Sequence, residues 1–477
     1  MNESLDRESL LQEYAGAELG DARRAARLRR LAEVAMEQPG ESFPKLTADE
    51  AGLEAAYRFL NNAAVNPDDV LAPHRAMTRE RASSAERVLV VHDTTTIQLG
   101  HADPDEVGYL QTGKPGFYLH LSLVVSADGQ RRPLGVAALN TLFRKARSGR
   151  GGRKHNRPGG TTTKQADRES LRWEQGVSQS EELLSSCPLR IHVADREADS
   201  YQFFAHVRST GADFVVRVRH DRVAREIDDD GQSESWSKMR EIVGGSSSRF
   251  ERDVPLSSRQ RSTAPTQSRR RPARAERTAT LHFATASMEL KRPRYFGDPL
   301  PSSIRVNVVR VYEPCAPKDQ EPIEWLIATS LPVESQSEVE HVVDVYRARW
   351  VIEEYFKALK SGCIYEQRQF ESRHALLNTL ALFLPIACHM LWMRSRAQHA
   401  DARALDVLTP VQLDVLRAIA RTKIPSEPSA RDVLWAIAAM GGHLKRNGEP
   451  GWASIRHGYE RLLIAEVAWT AARQAEM

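Results

Sequence analysis

The stretch from Tyr346 to Lys360, reading Tyr-Arg-Ala-Arg-Trp-Val-Ile-Glu-Glu-Tyr-Phe-Lys-Ala-Leu-Lys, constrains the fold of this chain more than any other. At about 100° per residue, with Tyr346 as zero, Arg349 falls at about −60°, Glu353 at about −20° and Lys360 at about −40°. Val345, Ile352, Tyr355, Phe356 and Leu359 fall on the opposite side, over roughly 180° to 280°. The spacing predicts one amphipathic helix with an apolar back and a narrow stripe that holds a carboxylate between cations. Taken alone, such a stripe reads as the solvated face of a surface helix.

Two earlier runs change that reading. Val88-Leu-Val-Val-His-Asp93-Thr-Thr-Thr and Leu189-Arg-Ile-His-Val-Ala-Asp195 are short, β-branched and apolar, and each ends in an aspartate. Buried strands deliver carboxylates to the edge of a sheet in this way. A lone strand-end aspartate is a turn former or N-cap. Two of them followed by a helix offering Glu353 make a different pattern. Three converging carboxylates can hold two divalent ions about 4 Å apart for phosphoryl transfer, and oxygen-only ligands favour magnesium or manganese over zinc.

The 477 residues are 41% hydrophobic and 27% charged, ordinary for a globular chain of two to four domains. The net charge of +4 is modest, but cations crowd into Arg23–Arg30, Arg144–Arg157 and Arg269–Arg277, which points to a polyanionic partner. The four cysteines stand far apart and no leader-like stretch opens the sequence, so a reduced, intracellular protein is expected. The apolar run Leu380–Trp392 is shorter than the about 20 residues that span a bilayer, and predicts a buried helix rather than a membrane partner.

Residues 1–70 read as a helical module, with Thr47 opening a capping box before Ala51–Leu60. Arg23, Arg24 and Arg27, with Tyr57 and Arg58, form a basic surface suited either to a phosphate backbone or to helix packing. Phe117–Ser126 and Pro133–Leu142 predict a hairpin across Asp128-Gly129. Arg144–Thr163 is either a solvated insert or a loop ordered by DNA. A helix over Trp173–Leu184 precedes the second aspartate strand. Asp213–Arg219, Arg277–Ser287, Ser303–Tyr312 and Glu324–Ser330 read as strands of a β-rich insertion, with Arg259–Arg277 an exposed loop within it. Trp325 is suited to a core, or to stacking on an extruded base. From about residue 371 the chain reads as helices, with a linker near Lys423–Ser429.

Leu19-Gly20-Asp21-Ala22-Arg23-Arg24, Ala56-Tyr57-Arg58-Phe59, Asp93-Thr94-Thr95, Asp195-Arg196-Glu197-Ala198-Asp199, Phe214-Val215-Val216-Arg217, Trp325-Leu326 and Tyr346 through Lys360 carry a family resemblance. The chain resembles the cut-and-paste DDE transposases of the insertion-sequence-four type, in particular those of the transposon-five kind. Their Tyr-x2-Arg-x3-Glu-x6-Lys signature is met by Tyr346, Arg349, Glu353 and Lys360.

The resemblance implies an α/β fold, with a ribonuclease-H-like catalytic core, a mixed sheet flanked by helices, interrupted by a β-rich insertion at about 220–335. Its domains would be a helical DNA-end-binding domain over 1–70, the catalytic domain over 71–370 and a helical dimerisation domain over 371–477. Asp93, Asp195 and Glu353 would be the catalytic, metal-binding triad for two Mg2+ or Mn2+ ions. Tyr346, Arg349, Lys360 and Arg217 would hold DNA at the cleaved end, Trp325 would stack on a flipped base, and Arg23, Arg24, Arg27, Tyr57 and Arg58 would bind the transposon end.

The implied partners are double-stranded DNA, as terminal inverted repeats and target, and a second copy of the chain in a homodimer. The implied place is the bacterial cytosol, alongside the nucleoid. A DNA-binding regulator without mobility, or a two-metal nuclease without transposition, are the alternatives on the same fold.

Overall fold

The computed structural model describes residues 7–47, 49–145, 169–227, 235–256, 275–296, 300–318, 320–370 and 372–475. Most of the arginine-rich segments at 144–163 and 259–277 lie outside these residues. The chain divides into two compact units, one of residues 1–188 with 350–477 and one of residues 189–349. Boundaries drawn at 70 and 370 both fall inside the first unit.

The first unit opens with helices α1 (Arg7–Gln12), α2 (Ala22–Glu37), α3 (Phe43–Leu46), α4 (Glu50–Leu60) and α5 (Pro67–Ser83). The capping box expected at Thr47 is not what starts α4. Asp49 is the N-cap, accepting from the Gly52 amide at 2.7 Å, while Thr47 closes α3 by donating to the Phe43 carbonyl. Strand β1 (Arg87–Gln98) follows, then the short α6 (Pro104–Val107), strands β2 (Gly116–Ser126) and β3 (Pro133–Leu142), and α7 (Leu171–Leu183).

β2 pairs with both β1 and β3, antiparallel, so the hairpin predicted from Asp128-Gly129 forms. Val88 to Val91 are fully or almost fully buried, and Val88 and Val90 pack with Ala82, Val124, Leu134 and Leu184. Each such side chain contributes about 1.5–3 kcal/mol through burial. The register runs to Gln98 opposite Gly116, where a Cβ would stand 2.1 Å from the Ile97 carbonyl oxygen and only glycine fits.

The second unit runs β4 (Leu189–Ala194), α8 (Tyr201–Ser209), β5 (Asp213–Arg217), β6 (Val223–Glu226), β7 (Ser237–Lys238), α9 (Met239–Gly245), β8 (Phe250–Leu256), β9 (Arg277–Lys291), β10 (Ser303–Tyr312), β11 (Glu324–Thr329) and α10 (Gln336–Ala348). Its strands lie in the order β4-β5-β11-β10-β9-β6-β7, and β8 joins the edge of β9. β4 and β5 are parallel and the other pairs antiparallel, so the sheet is mixed.

The chain then returns to the first unit with α11 (Trp350–Lys357), a π-helical turn over Ala358–Gly362, α12 (Arg373–Arg396), α13 (Pro410–Ile419), α14 (Ala430–Met440) and α15 (Trp452–Ala475). Helix α12 is longer than its apolar run suggested. At 24 residues it is long and apolar enough to cross a membrane, but 94% of its most apolar window is buried inside the protein. Tyr14 and Tyr355 donate to its Leu382 and Leu384 carbonyls at 2.6 and 2.8 Å, both just before Pro385. Burial pushes both phenols well above their ordinary value, so they remain donors.

The single helix expected from Tyr346 to Lys360 is interrupted. α10 ends at Ala348 with Arg349 as its cap, α11 starts at Trp350, and the last turn before Gly362 widens to the π form. The apolar back survives the break, since Val345, Ile352, Tyr355, Phe356 and Leu359 are all buried. Tyr346 and Arg349, expected on the polar stripe, are also buried, with 4% and 6% of their surface exposed.

A buried carboxylate seats the first helices on the sheet. Glu13 accepts from Arg81 Nη1 at 2.6 Å and lies 2.7 Å from His74 Nδ1, while His74 Nε2 accepts from the Val136 amide and Arg81 Nε donates to the Leu134 carbonyl. Burial alone would raise the Glu13 pKa, but His74 and Arg81 outweigh it and bring it from 4.5 to about 2. The folded pKa is depressed, so the stabilisation is complete above about pH 4.5 and is lost as pH falls towards 2. Glu13→Gln is therefore expected to cost about 3 kcal/mol at pH 7, and urea unfolding of the two proteins should converge as the pH is lowered through that window.

Candidate active site

In the first unit, β1 places Asp93, Thr95 and Ile97 on one face by its period of two. Asp93 is partly buried, stands opposite Leu121 of β2, and accepts from the Thr94 amide at 2.7 Å. The π-helical turn after α11 reaches the same strand. Lys360 Nζ donates to Thr95 Oγ1 at 2.9 Å and to the Thr96 carbonyl at 2.5 Å, and lies 3.6 Å from Glu366 Oε1. Glu366 in turn accepts from the Gln98 amide at 2.9 Å. Burial holds the Lys360 pKa below the ordinary lysine value, against the pull of Glu366. α11, which carries the half-buried Glu353, packs on β1.

Glu354, next to Glu353, is held by packing partners. Glu354 accepts from Lys357 Nζ at 2.6 Å and from Trp452 Nε1 of α15 at 3.1 Å, and lies 3.7 Å from Arg394 Nε of α12. Burial opposes its charge, but these partners hold its pKa below the usual carboxylate value. Its charge is committed to fastening α11 to α12 and α15.

On the other pleat of β1, Thr94 Oγ1 lies 3.0 Å from His120 Nδ1 and accepts from Arg172 Nε of α7 at 2.9 Å. His120 is buried, its ring edge-on to Trp173 at 4.6 Å, and burial with Arg172 nearby lowers its pKa to about 3. It is a neutral packing histidine.

In the second unit, Asp195 directly follows β4 and Arg217 ends β5. Ala194 is in register with Val216, so these two residues continue neighbouring parallel strands. Asp195 Oδ1 accepts from the Glu197 amide at 2.7 Å, and among the described residues no lysine or arginine pairs with it. Asp199, four residues on, is spent: it accepts from the Arg219 and His220 amides at 2.6 and 2.7 Å and from Arg222, which fixes the turn after β5.

Three residues expected to touch DNA meet in this unit. Ile327 of β11 is in register with Arg217, so Trp325 lies two residues along from it. The Arg217 guanidinium is 5.7 Å from the centre of the Trp325 ring, and the Tyr346 ring meets Trp325 at 5.5 Å and 73°. A cation and an edge-on aromatic thus set the indole in one orientation.

The N-terminal candidates are more dispersed. Arg23 and Arg58 are exposed, Arg24 and Arg27 partly so, and Arg24 donates to the Leu19 carbonyl at 2.8 Å. Tyr57 packs with Phe43 and Phe370 at 6.4 and 6.1 Å. Thr96 and Glu366 were not singled out by the sequence, and Thr95 only as part of the Asp93-Thr94-Thr95 stretch. The threonine run was visible only as hydroxyls after an acid, and no pattern marks Glu366 as a partner of Lys360.

Two family models match the chain, one described as transposase DNA-binding over residues 7–65 and one as transposase DDE domain over residues 174–391. The chain carries the domains of a DDE transposase. Such a transposase is a metal-dependent enzyme that binds and cleaves DNA. The DDE match contains Asp195 and Glu353, whereas Asp93 lies before its first residue. Divalent metals such as Mg2+ are general to these domains. In neither unit, among the described residues, do three His, Cys, Asp or Glu side chains gather as a metal-binding group.

Because Glu354 serves packing in this transposase, Glu354→Ala and Trp452→Phe should each lower stability by about 1 kcal/mol. Their effects should fall short of additive in a double-mutant cycle of thermal unfolding, since both remove the same contact.

Proposed function

We propose that this transposase works by cut-and-paste, in the manner of the insertion-sequence-four type, on a ribonuclease-H-like core with Asp93, Asp195 and Glu353 as its metal ligands. The observation that carries the reading is the separation of roles between Asp195 and Asp199, with Glu354 committed elsewhere beside Glu353. Asp199 and Glu354 are consumed by Arg222 and by Lys357, Trp452 and Arg394, while Asp195 keeps a carboxylate without a cationic partner among the described residues. The donor set is carboxylate oxygen throughout, which fits Mg2+ or Mn2+. When bound, two such ions would supply an activated nucleophilic oxygen and neutralise the leaving oxygen.

The chain's own residues hold the DNA. Lys360 places a positive charge beside the Asp93 strand, where a phosphate needs one. Arg217 offers a second cation at the ends of β4 and β5. Trp325, set by Arg217 and Tyr346, offers a face to an unstacked base, as a hairpin-forming end requires. In this scheme a nick frees a 3′ hydroxyl, which attacks the opposite strand to close a hairpin. Water reopens the hairpin, and the freed 3′ hydroxyl joins target DNA. Arg23, Arg24, Arg27 and Arg58 would track the backbone of the transposon end, Tyr346 and Arg349 would support the cleaved end, and two copies would pair two ends. Action in the bacterial cytosol is part of the same reading.

The test is cleavage of DNA carrying the element's own flanking ends, with Mg2+ or Mn2+. Hairpin products are expected from the wild type. Asp93→Asn, Asp195→Asn and Glu353→Gln should each lower cleavage by at least about 1,000-fold while binding persists, and Trp325→Ala should reduce hairpins more than nicks. Binding without cleavage by the wild type under either metal would instead favour a regulator on this fold.

A further inference from the structure

Beside Lys360, beyond the end of β1, lies a polar pocket of about 590 Å³ lined by Thr96, Gln98, His101, Glu366, Gln367 and Gln369. This size falls within the range of about 300–1,000 Å³ in which proteins bind small molecules. Its walls are held rigidly. The Gln98 backbone is tied on one side to Gly116 of β2 and on the other to the Glu366 carboxylate.

The opposite wall hangs on Arg368, whose buried guanidinium donates to the Pro39, Glu41 and Cys363 carbonyls and lies 3.7 Å from the centre of the Phe383 ring. Arg368 is extended, so the residues on either side of it alternate outward and present the exposed Gln367 and Gln369.

The chemistry of the lining is specific. It has three carboxamides, one imidazole and one hydroxyl, and neither lysine nor arginine. Its one carboxylate, Glu366, is taken up by Lys360 and the Gln98 amide, so the rest of the lining suits an uncharged polar group. Carboxamides pair their adjacent donor and acceptor with the edge of a base, as in bidentate contact with adenine. The lysine at the rim and the amides within suit the two halves of a nucleotide.

We propose that this pocket takes a base of the transposon end, next to the phosphate held by Lys360, and that Gln98, Gln367 and Gln369 decide which base is preferred there. The proposal rests on the phosphate-binding role given to Lys360 above. It adds a sequence-reading site to a region whose other members act on the DNA backbone and the chemistry.

The experiment uses the full chain and duplexes bearing the repeats that flank its own gene, with every base placed in turn at each terminal position. Binding is measured by competition in Ca2+, without cleavage, and cleavage separately in Mg2+. In Gln98→Ala and in the Gln367→Ala/Gln369→Ala double variant, the preference at one or two adjacent positions should fall by roughly 5- to 150-fold. Preference elsewhere and the salt dependence of binding should be unchanged.

Lys360→Ala should weaken binding to every end and flatten the salt dependence. Glutamine variants that keep the wild-type preference at every position, or that weaken all ends equally, overturn the proposal. A wild type that never cleaves, while the glutamine variants lose base preference in Ca2+, would sink the cut-and-paste reading and leave the pocket standing.

Discussion

A lysine ammonium drawn largely out of water must find oxygen, and Lys360 finds it on β1. Its bonds to Thr95 Oγ1 and the Thr96 carbonyl, with Glu366 at 3.6 Å, bring the turn after α11 onto the strand that carries Asp93. The first half of β1 is fixed by apolar burial, which cannot hold its polar second half. The ammonium and the Glu366 carboxylate do that instead, meeting one carbonyl and one amide of the strand's backbone. The same tie leaves a cation on the strand that carries Asp93, and it sets one wall of the amide-lined pocket.

The acids near Asp195 and Glu353 follow one logic. A carboxylate bound to arginines, lysines or backbone amides is a structural fastener, because its charge is already satisfied. Asp199 and Glu354 are such fasteners, one shaping the turn after β5 and one joining α11 to α15. Trp325 is treated similarly in the second unit, where Arg217 and Tyr346 fix the ring without enclosing it. Fixing a side chain before a ligand arrives lowers the entropy lost on binding.

Much of this was legible in the sequence because it depends on local pattern. Ser303–Tyr312 forms the strand read there, and the hairpin turns at Asp128-Gly129. Asp195 sits just after its strand as read, whereas β1 runs on to Gln98 and leaves Asp93 in mid-strand, because the threonines after it continue the pairing with β2. Features set by tertiary packing were not legible. The break at Arg349 and the π turn over Ala358–Gly362 have no proline to announce them, and they arise within a segment whose helical period is otherwise unbroken. Thr47 looked like a cap because it lies three residues before a glutamate, but Asp49 directly precedes the helix and its carboxylate reaches the Gly52 amide. The first unit joins residues 1–188 to 350–477, a union made by contacts far apart in the chain. Glu366 and the glutamines around it carry no motif, and only the fold brings them to the end of β1.

The account turns on the proposal that Asp93, Asp195 and Glu353 serve one metal site. Electron paramagnetic resonance of Mn2+ bound to the transposase on uncleaved end DNA tests it directly, comparing the wild type with Asp93→Asn, Asp195→Asn and Glu353→Gln. The account predicts that each single substitution weakens or removes the same bound-Mn2+ signal. A variant at Asp195 that binds Mn2+ as the wild type does, while the other two lose it, would contradict the claim.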